Sequence, residues 1–194
     1  FSAVILPGSK NTRADLDWLN RRFKSDLGAY VQAGGNVLGI CGGFQMLGQS
    51  VDDPDGLEGR PGSSRGLGLL PVRTVLKAPK TTTLSRFQWS GADGEGYEIH
   101  MGRTQVPHEN RWLLVSSRNS VACTDSDGCI LENRRVAGTY MHGFFDSQAI
   151  LKKWLHMVGI DVKELPDDLL SSKEQGYEQL KVHFENHVDI SGLV

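Results

Sequence analysis

Residues 34–49 read GGNVLGICGGFQMLGQ. An apolar run of strand length, Asn36–Ile40, meets Cys41 and two glycines, and Phe44, Gln45, Met46 and Leu47 follow with helical character. The spacing predicts a strand, a sharp turn and a helix, with Cys41 on the corner. Gly39, Gly42 and Gly43 around it form the G-x-C-x-G pattern of a nucleophile elbow, in which glycines permit a strained bend that pushes one side chain into the open. A cysteine there stands at a helix N-terminus, whose free N–H groups and dipole favour a thiolate. The N–H of Gly42 is then available to a developing oxyanion. A lone cysteine is most often a small buried hydrophobe; the flanking glycines after an apolar strand favour the nucleophile.

Outward from this stretch, the order is β-α-β-α. Residues 3–6 form an apolar strand ended by Pro7-Gly8, and residues 15–23 and 25–33 carry helical apolar faces. Alternation of strands and helices predicts an α/β fold, a mixed and mostly parallel sheet flanked by helices. The Gly8 loop is either a plain strand-to-helix turn or the source of a second oxyanion donor. Its Gly-Ser-Lys lacks the spacing of a phosphate loop. Residues 52–68, polar and glycine-rich, read as a long loop, mobile or acting as a lid. Asp53-Pro54-Asp55-Gly56 is a turn without the further ligands of a calcium site. Beyond it, 69–76, 81–89, 97–101, 112–116, 122–124 and 130–132 read as strands, with Asp127-Gly128 as a hairpin turn. Residues 136–141, VAGTYM, form another apolar strand and deliver His142 at its C-terminal end. Ser147 caps a helix over 148–158, residues 161–172 connect, and 174–188 form a final helix with a stripe of Tyr177, Leu180, Phe184 and Val188.

Open α/β sheets keep their sites at the carboxyl ends of strands. Cys41 and His142 both follow such strands, so one can serve as nucleophile and the other as its base. The 194 residues suffice for one such domain, and 39% hydrophobic against 23% charged is a globular balance. A formal net charge of −2 argues against general nucleic-acid or anionic-membrane binding. No run is long enough to span a membrane. Three cysteines, Cys41, Cys123 and Cys129, without disulfide or metal spacing, point to a reduced, cytoplasmic setting and to no metal site.

Taken together, GGNVLGICGGFQMLG, RGLGLLP, GYEIHMGRT and GTYMHGFFD resemble the class I, triad-type glutamine amidotransferases, with their flavodoxin-like fold. More narrowly they are similar to the C-terminal glutaminase domain of cobyric acid synthases. LPGSKNTRADLDWL at the start is similar too, and the likeness runs from about residue 2 to residue 159. The resemblance implies that Cys41 attacks the side-chain amide of glutamine and that His142 protonates the departing ammonia and then activates water. It implies an oxyanion hole from Gly42 and the Gly8 loop, and a glutamine-binding role for Gln45. Glu98 and His100 would belong to the substrate pocket or to a domain interface. The chain as a whole, 1–194, would be a glutaminase domain, the C-terminal part of a longer polypeptide, with 160–194 as connector and helix. No cofactor is expected in it. ATP, Mg2+ and the corrinoid acceptor would belong to an N-terminal synthetase domain that receives the ammonia. The same motifs fit a cobyrinic acid diamide synthase, a cell-wall lipid precursor amidase, or a docking module that no longer hydrolyses glutamine.

One position departs from the wider class. Where an orienting Glu follows the base by two residues, this chain has Phe144. Glu98, Asp146 or a carboxylate from a partner domain are the candidates to orient His142.

Overall fold

The computed structural model describes residues 1–133, 135–162 and 169–187. The chain divides into two compact units, Phe1–Asp161 and Val162–Val194. The first is built on a mixed sheet of nine strands. β1 (Ala3–Leu6), β2 (Asn36–Ile40) and β9 (Val136–Thr139) lie side by side and parallel. β8 (Val121–Ile130), β7 (Arg111–Arg118) and β5 (Arg73–Trp89) continue the sheet antiparallel. β3 (Ser50–Asp53) pairs parallel with β5 and antiparallel with β4 (Gly62–Arg65), and β6 (Ala92–Gln105) folds back on β5.

α1 (Thr12–Arg22) and α2 (Lys24–Gln32) connect β1 to β2. Asn11 caps α1 by accepting the Ala14 N–H. Gly34, at φ +92°, closes α2, with the Gly35 N–H returning to the Tyr30 carbonyl. α3 (Gly42–Leu47) follows β2, and α4 (Gln148–Met157), capped by Ser147, follows β9. Along β2 and β9 neighbouring residues go to opposite faces, as strand geometry demands. Val37 and Val136 pack with Leu16, Phe44 and Leu47, whereas Leu38 and Ala137 pack with Phe87, Trp112, Phe144 and Ile150. The sheet is therefore buried on both sides where it carries the site.

Three expectations need correction. Residues 52–68 are not a free loop: β3, which runs into them from Ser50, pairs with β4 inside them as a hairpin. The buried Asp53 carboxylate accepts the N–H groups of Leu57 and Glu58, and Arg13 binds Asp53, Ser64 and the Arg60 carbonyl. Side-chain acceptors inside the turn replace the missing regular structure. The pieces read at 69–76 and 81–89 join as one strand, β5, which starts only at Arg73, because β6 pairs with both of its ends around an irregularity between Leu76 and Thr81. Asp127-Gly128 is no hairpin turn, since both residues lie inside β8.

The second unit carries α5 (Leu169–His187). It begins five residues before the expected start; Tyr177, Leu180 and Phe184 of the expected stripe are exposed, and Val188 lies outside the described residues. Among the described residues no helix is long and apolar enough to cross a membrane.

Candidate active site

The bend after β2 is strained at the cysteine itself. Cys41 has φ +54° and ψ −111°, a region that side chains rarely occupy. The glycines serve a different need from the one the pattern suggested. A Cβ on Gly43 would stand 2.0 Å from the Leu6 carbonyl oxygen, one on Gly39 2.7 Å from the Gly43 backbone, and one on Gly42 2.8 Å from the Ser9 nitrogen. Gly42 and Gly43 let the turn press against β1 and its loop, and Gly39 lets α3 lie close on β2. The Cys41 N–H is held by the Thr139 carbonyl of β9 at 2.8 Å.

The same close approach brings the Gly8 loop over the site. The point a Gly8 Cβ would take is 3.5 Å from His142 Cε1 and 3.7 Å from Cys41 Cβ. Cys41, His142 and Gly8 thus meet around one spot. His142 stands three residues past the end of β9, not directly after it. It is fixed by an isolated bridge to β6: its N–H donates to the Tyr97 carbonyl at 2.8 Å and its carbonyl accepts the Tyr97 N–H at 3.1 Å. The two rings stack with centroids 4.8 Å apart. Nε2 is buried with no hydrogen-bond partner among the described residues.

Electrostatics favour a neutral pair. Burial pushes the Cys41 thiol up, and the Gly42 N–H only partly opposes it. The thiolate expected from the helix N-terminus is overruled by desolvation; α3 is only six residues long. Burial, helped by the charge of His100, pushes His142 below the ordinary histidine value. A neutral imidazole is what a proton acceptor needs. Cys41 Sγ meets the Ile99 carbonyl at 3.7 Å.

Gln45 is buried, not exposed on its helix. Its Oε1 accepts the Thr12 hydroxyl at 3.1 Å and its Nε2 donates to the Tyr140 phenol at 3.1 Å. Glu98 and His100 lie on the face of β6 turned away from Tyr97, as period-two alternation requires. No hydrogen bond joins Glu98 to His142; Glu98 binds Ser85 at 2.8 Å, Arg118 at 2.9 Å and His100 at 3.5 Å. Direct orientation of His142 by Glu98 is thereby ruled out. Burial would push that carboxyl up, but hydrogen bonds from His100, Arg118 and Ser85 outweigh it and hold Glu98 at about 2. Glu98 and His100 line a cavity of about 340 Å3 with Tyr140, Thr104 and Asp127. The Asp146 carboxylate stands over Gly143, whose Cβ would lie 3.1 Å from Oδ2. Among the described residues no cluster of three or more His, Cys, Asp or Glu is placed to hold a metal.

Sequence reasoning missed Thr12, Tyr97, Asp127 and Tyr140. Alternation in YEIHM could have paired Tyr97 with the face opposite Glu98. Nothing local marks Thr12 or Tyr140.

A family model for CobB/CobQ-like glutamine amidotransferase domains matches residues 1–150. The chain belongs to this family. This amidotransferase chain is 43% identical over 201 residues to a cobyric acid synthase of Chlorobium phaeobacteroides strain BS1, covering 98% of itself and 39% of the relative. It is 43% identical over 194 residues to one of Cereibacter sphaeroides, with 98% and 39% covered. The chain spans about two fifths of the length of these curated relatives. Among solved structures, a glutamine amidotransferase aligns with TM-score 0.55 at 14% identity, covering 82% of this chain and 80% of that one. PurLQS from Thermotoga maritima aligns with TM-score 0.55 at 16% identity, covering 80% and 79%. At those identities the likeness concerns the fold, and the fold is that of the amidotransferases.

Proposed function

We propose that this chain is the glutaminase part of a cobyric acid synthase. Cys41 Sγ attacks the side-chain carbonyl carbon of glutamine while His142 takes the thiol proton. The tetrahedral oxyanion is met by the N–H of Gly42 and by the Gly8 loop. As the C–N bond breaks, His142 returns the proton to the leaving nitrogen, which departs as ammonia. The remaining glutamyl thioester is hydrolysed by water that His142 deprotonates, releasing glutamate and the thiol. Gln45 fixes the pocket wall between Thr12 and Tyr140 and helps seat the substrate glutamine. Glu98 and His100 support the same wall from behind β6.

The observation that carries this reading is the meeting of Cys41 and His142 at one point over Gly8. The neutral thiol and neutral imidazole suit a pair that exchanges its proton only when substrate is bound.

Ammonia then passes to an ATP- and Mg2+-dependent synthetase domain of the same polypeptide, in the cytoplasm, which amidates peripheral carboxylates of a corrinoid diamide. The names of the relatives, and the two fifths of their length that this chain spans, support that wider part of the reading. The test is corrinoid amidation by the full-length protein with glutamine or with ammonium as nitrogen source. Cys41→Ala is expected to lose the glutamine-dependent reaction and keep the ammonium-dependent one. Equal glutamine-dependent amidation by wild type and variant would refute the proposal.

A further inference from the structure

Asp127-Gly128 lies inside β8, on the cavity that Tyr140 lines. Gly128 sits at φ +78°, and a Cβ there would lie 2.5 Å from the Gly138 carbonyl oxygen. Glycine therefore lets β8 close against β9 and turns Asp127 toward the end of β9. The Asp127 side chain is buried. Its two oxygens accept the Tyr140 N–H at 3.1 and 3.4 Å, and Oδ2 also accepts the Thr139 hydroxyl. The Thr139 hydroxyl oxygen in turn accepts the Met141 N–H at 3.0 Å.

This short segment touches Cys41, Gln45 and His100 and carries His142. The Thr139 carbonyl holds the Cys41 N–H. The Tyr140 phenol binds Gln45 and Thr104, and its ring stacks on His100 with centroids 3.7 Å apart. Two residues after Tyr140 comes His142. We propose that Asp127 is a positioning residue: its carboxylate fixes residues 139–142, and so sets the Cys41 backbone at one end and the His142 imidazole at the other.

The chemistry calls for a carboxylate. Two donors, a hydroxyl and an N–H, converge on a group that must accept both and donate nothing. An Asn in its place keeps both acceptances only with its oxygen at the Oδ2 position, and its NH2 then stands where Oδ1 faces the Tyr140 N–H; flipped, the NH2 meets both donors. The charged groups around Asp127 are Glu98, His100 and Arg103 of β6, Arg111 and Arg118 of β7, and Asp125 of its own strand, all on the same cavity with Tyr140. Asp127 also contributes to raising the Cys41 thiol. This inference rests on Cys41 being the glutaminase nucleophile.

The test uses the full-length protein, with glutamine hydrolysis and the pH dependence of iodoacetamide alkylation at Cys41, resolved by peptide mass spectrometry. Asp127→Asn is expected to lower kcat about 10- to 100-fold with KM changed less than about threefold, the effect of a displaced reacting group. Its alkylation midpoint should move to lower pH, because a negative neighbour is gone. Thr139→Val should also lower kcat, and the double variant should fall no further than the worse single, since both cut the same bond. Asp17→Asn, exposed on α1, should leave kcat and the midpoint unchanged. If Asp127→Asn does not fold, Thr139→Val carries the test, and a wild-type kcat in it overturns the proposal. Losses that multiply in the double variant overturn it too. So does a loss confined to the folded fraction, with kcat per titrated Cys41 unchanged. Wild-type turnover in Cys41→Ser would instead overturn the glutaminase reading beneath it.

Discussion

Tyr97 and His142 lie ring on ring, 4.8 Å between centroids and 7° from parallel, and exchange two backbone hydrogen bonds. Cys41 comes from one layer of the parallel strands, while the imidazole is held against a strand of the long β5–β6 hairpin. The base is therefore positioned by β6 as much as by β9. Tyr97→Ala should leave the fold intact, because Tyr97 is already half exposed. It should lower glutamine kcat about tenfold with little change in KM, as expected when a reacting group gains freedom. Tyr97→Phe should recover most of that loss. Steady-state kinetics of the two variants check this.

The glycines of the elbow make a contrasting pair with a glycine elsewhere. Gly43→Ala would drive a Cβ to 2.0 Å from the Leu6 backbone oxygen. It should destabilise the protein by about 3 kcal/mol, the upper end of overpacking costs. Gly28, inside α2 with nothing within 4 Å, should behave oppositely. Gly28→Ala is expected to stabilise by about 0.5–1 kcal/mol through helix propensity. Urea unfolding of both variants decides the matter.

Glu98 gives a stability that depends on pH. Its folded value, about 2, is below its ordinary 4.5, so its contribution is complete above 4.5 and is lost as pH falls toward 2. Glu98→Gln removes one of the two carboxylate partners of the partly exposed Arg118, which keeps Asp125, and should cost about 1.5 kcal/mol near neutrality. The gap between wild type and variant, measured by urea unfolding, should narrow steadily below pH 4.5. A gap that stayed constant to pH 3 would show that the carboxylate charge is not what stabilises.

The catalytic pair predicts its own pH behaviour. His142 is pushed below 6.5, so it stays neutral to lower pH than an ordinary histidine. The acid limb of glutamine kcat/KM should fall below that value. Cys41 is pushed up, so in the free enzyme iodoacetamide should alkylate it slowly at neutral pH and faster only above the ordinary thiol range. A thiol fully reactive at pH 7 without substrate would contradict the neutral pair.

What the sequence disclosed was local and glycine-marked. The strand-turn-helix around Cys41, the strand before His142 and the capped helix after Ser147 each carry their signal within a dozen residues. The reason for the glycines was not visible, because Gly43 is required by Leu6, 37 positions away. Asp127 was lost for a similar reason. Its Asp-Gly dipeptide is a strong turn signal, and only pairing with β7 and β9 overrides it. Residues 52–68 looked free because polar side chains replaced regular hydrogen bonding: Asp53 and Glu58 tie that segment to α1. Tyr140 and Thr12 join Gln45 from segments more than thirty residues away on either side, and no spacing rule reaches that far.

The central claim is that the Cys41 sulfur is the atom that takes the glutamyl group. A diazoketone analogue of glutamine, incubated with the full-length protein, should add one equivalent at Cys41, found by peptide mass spectrometry. Excess glutamine should slow the labelling, and His142→Ala should slow it further. An adduct at Cys123 or Cys129 instead, or none at Cys41 in protein that hydrolyses glutamine, would contradict the account.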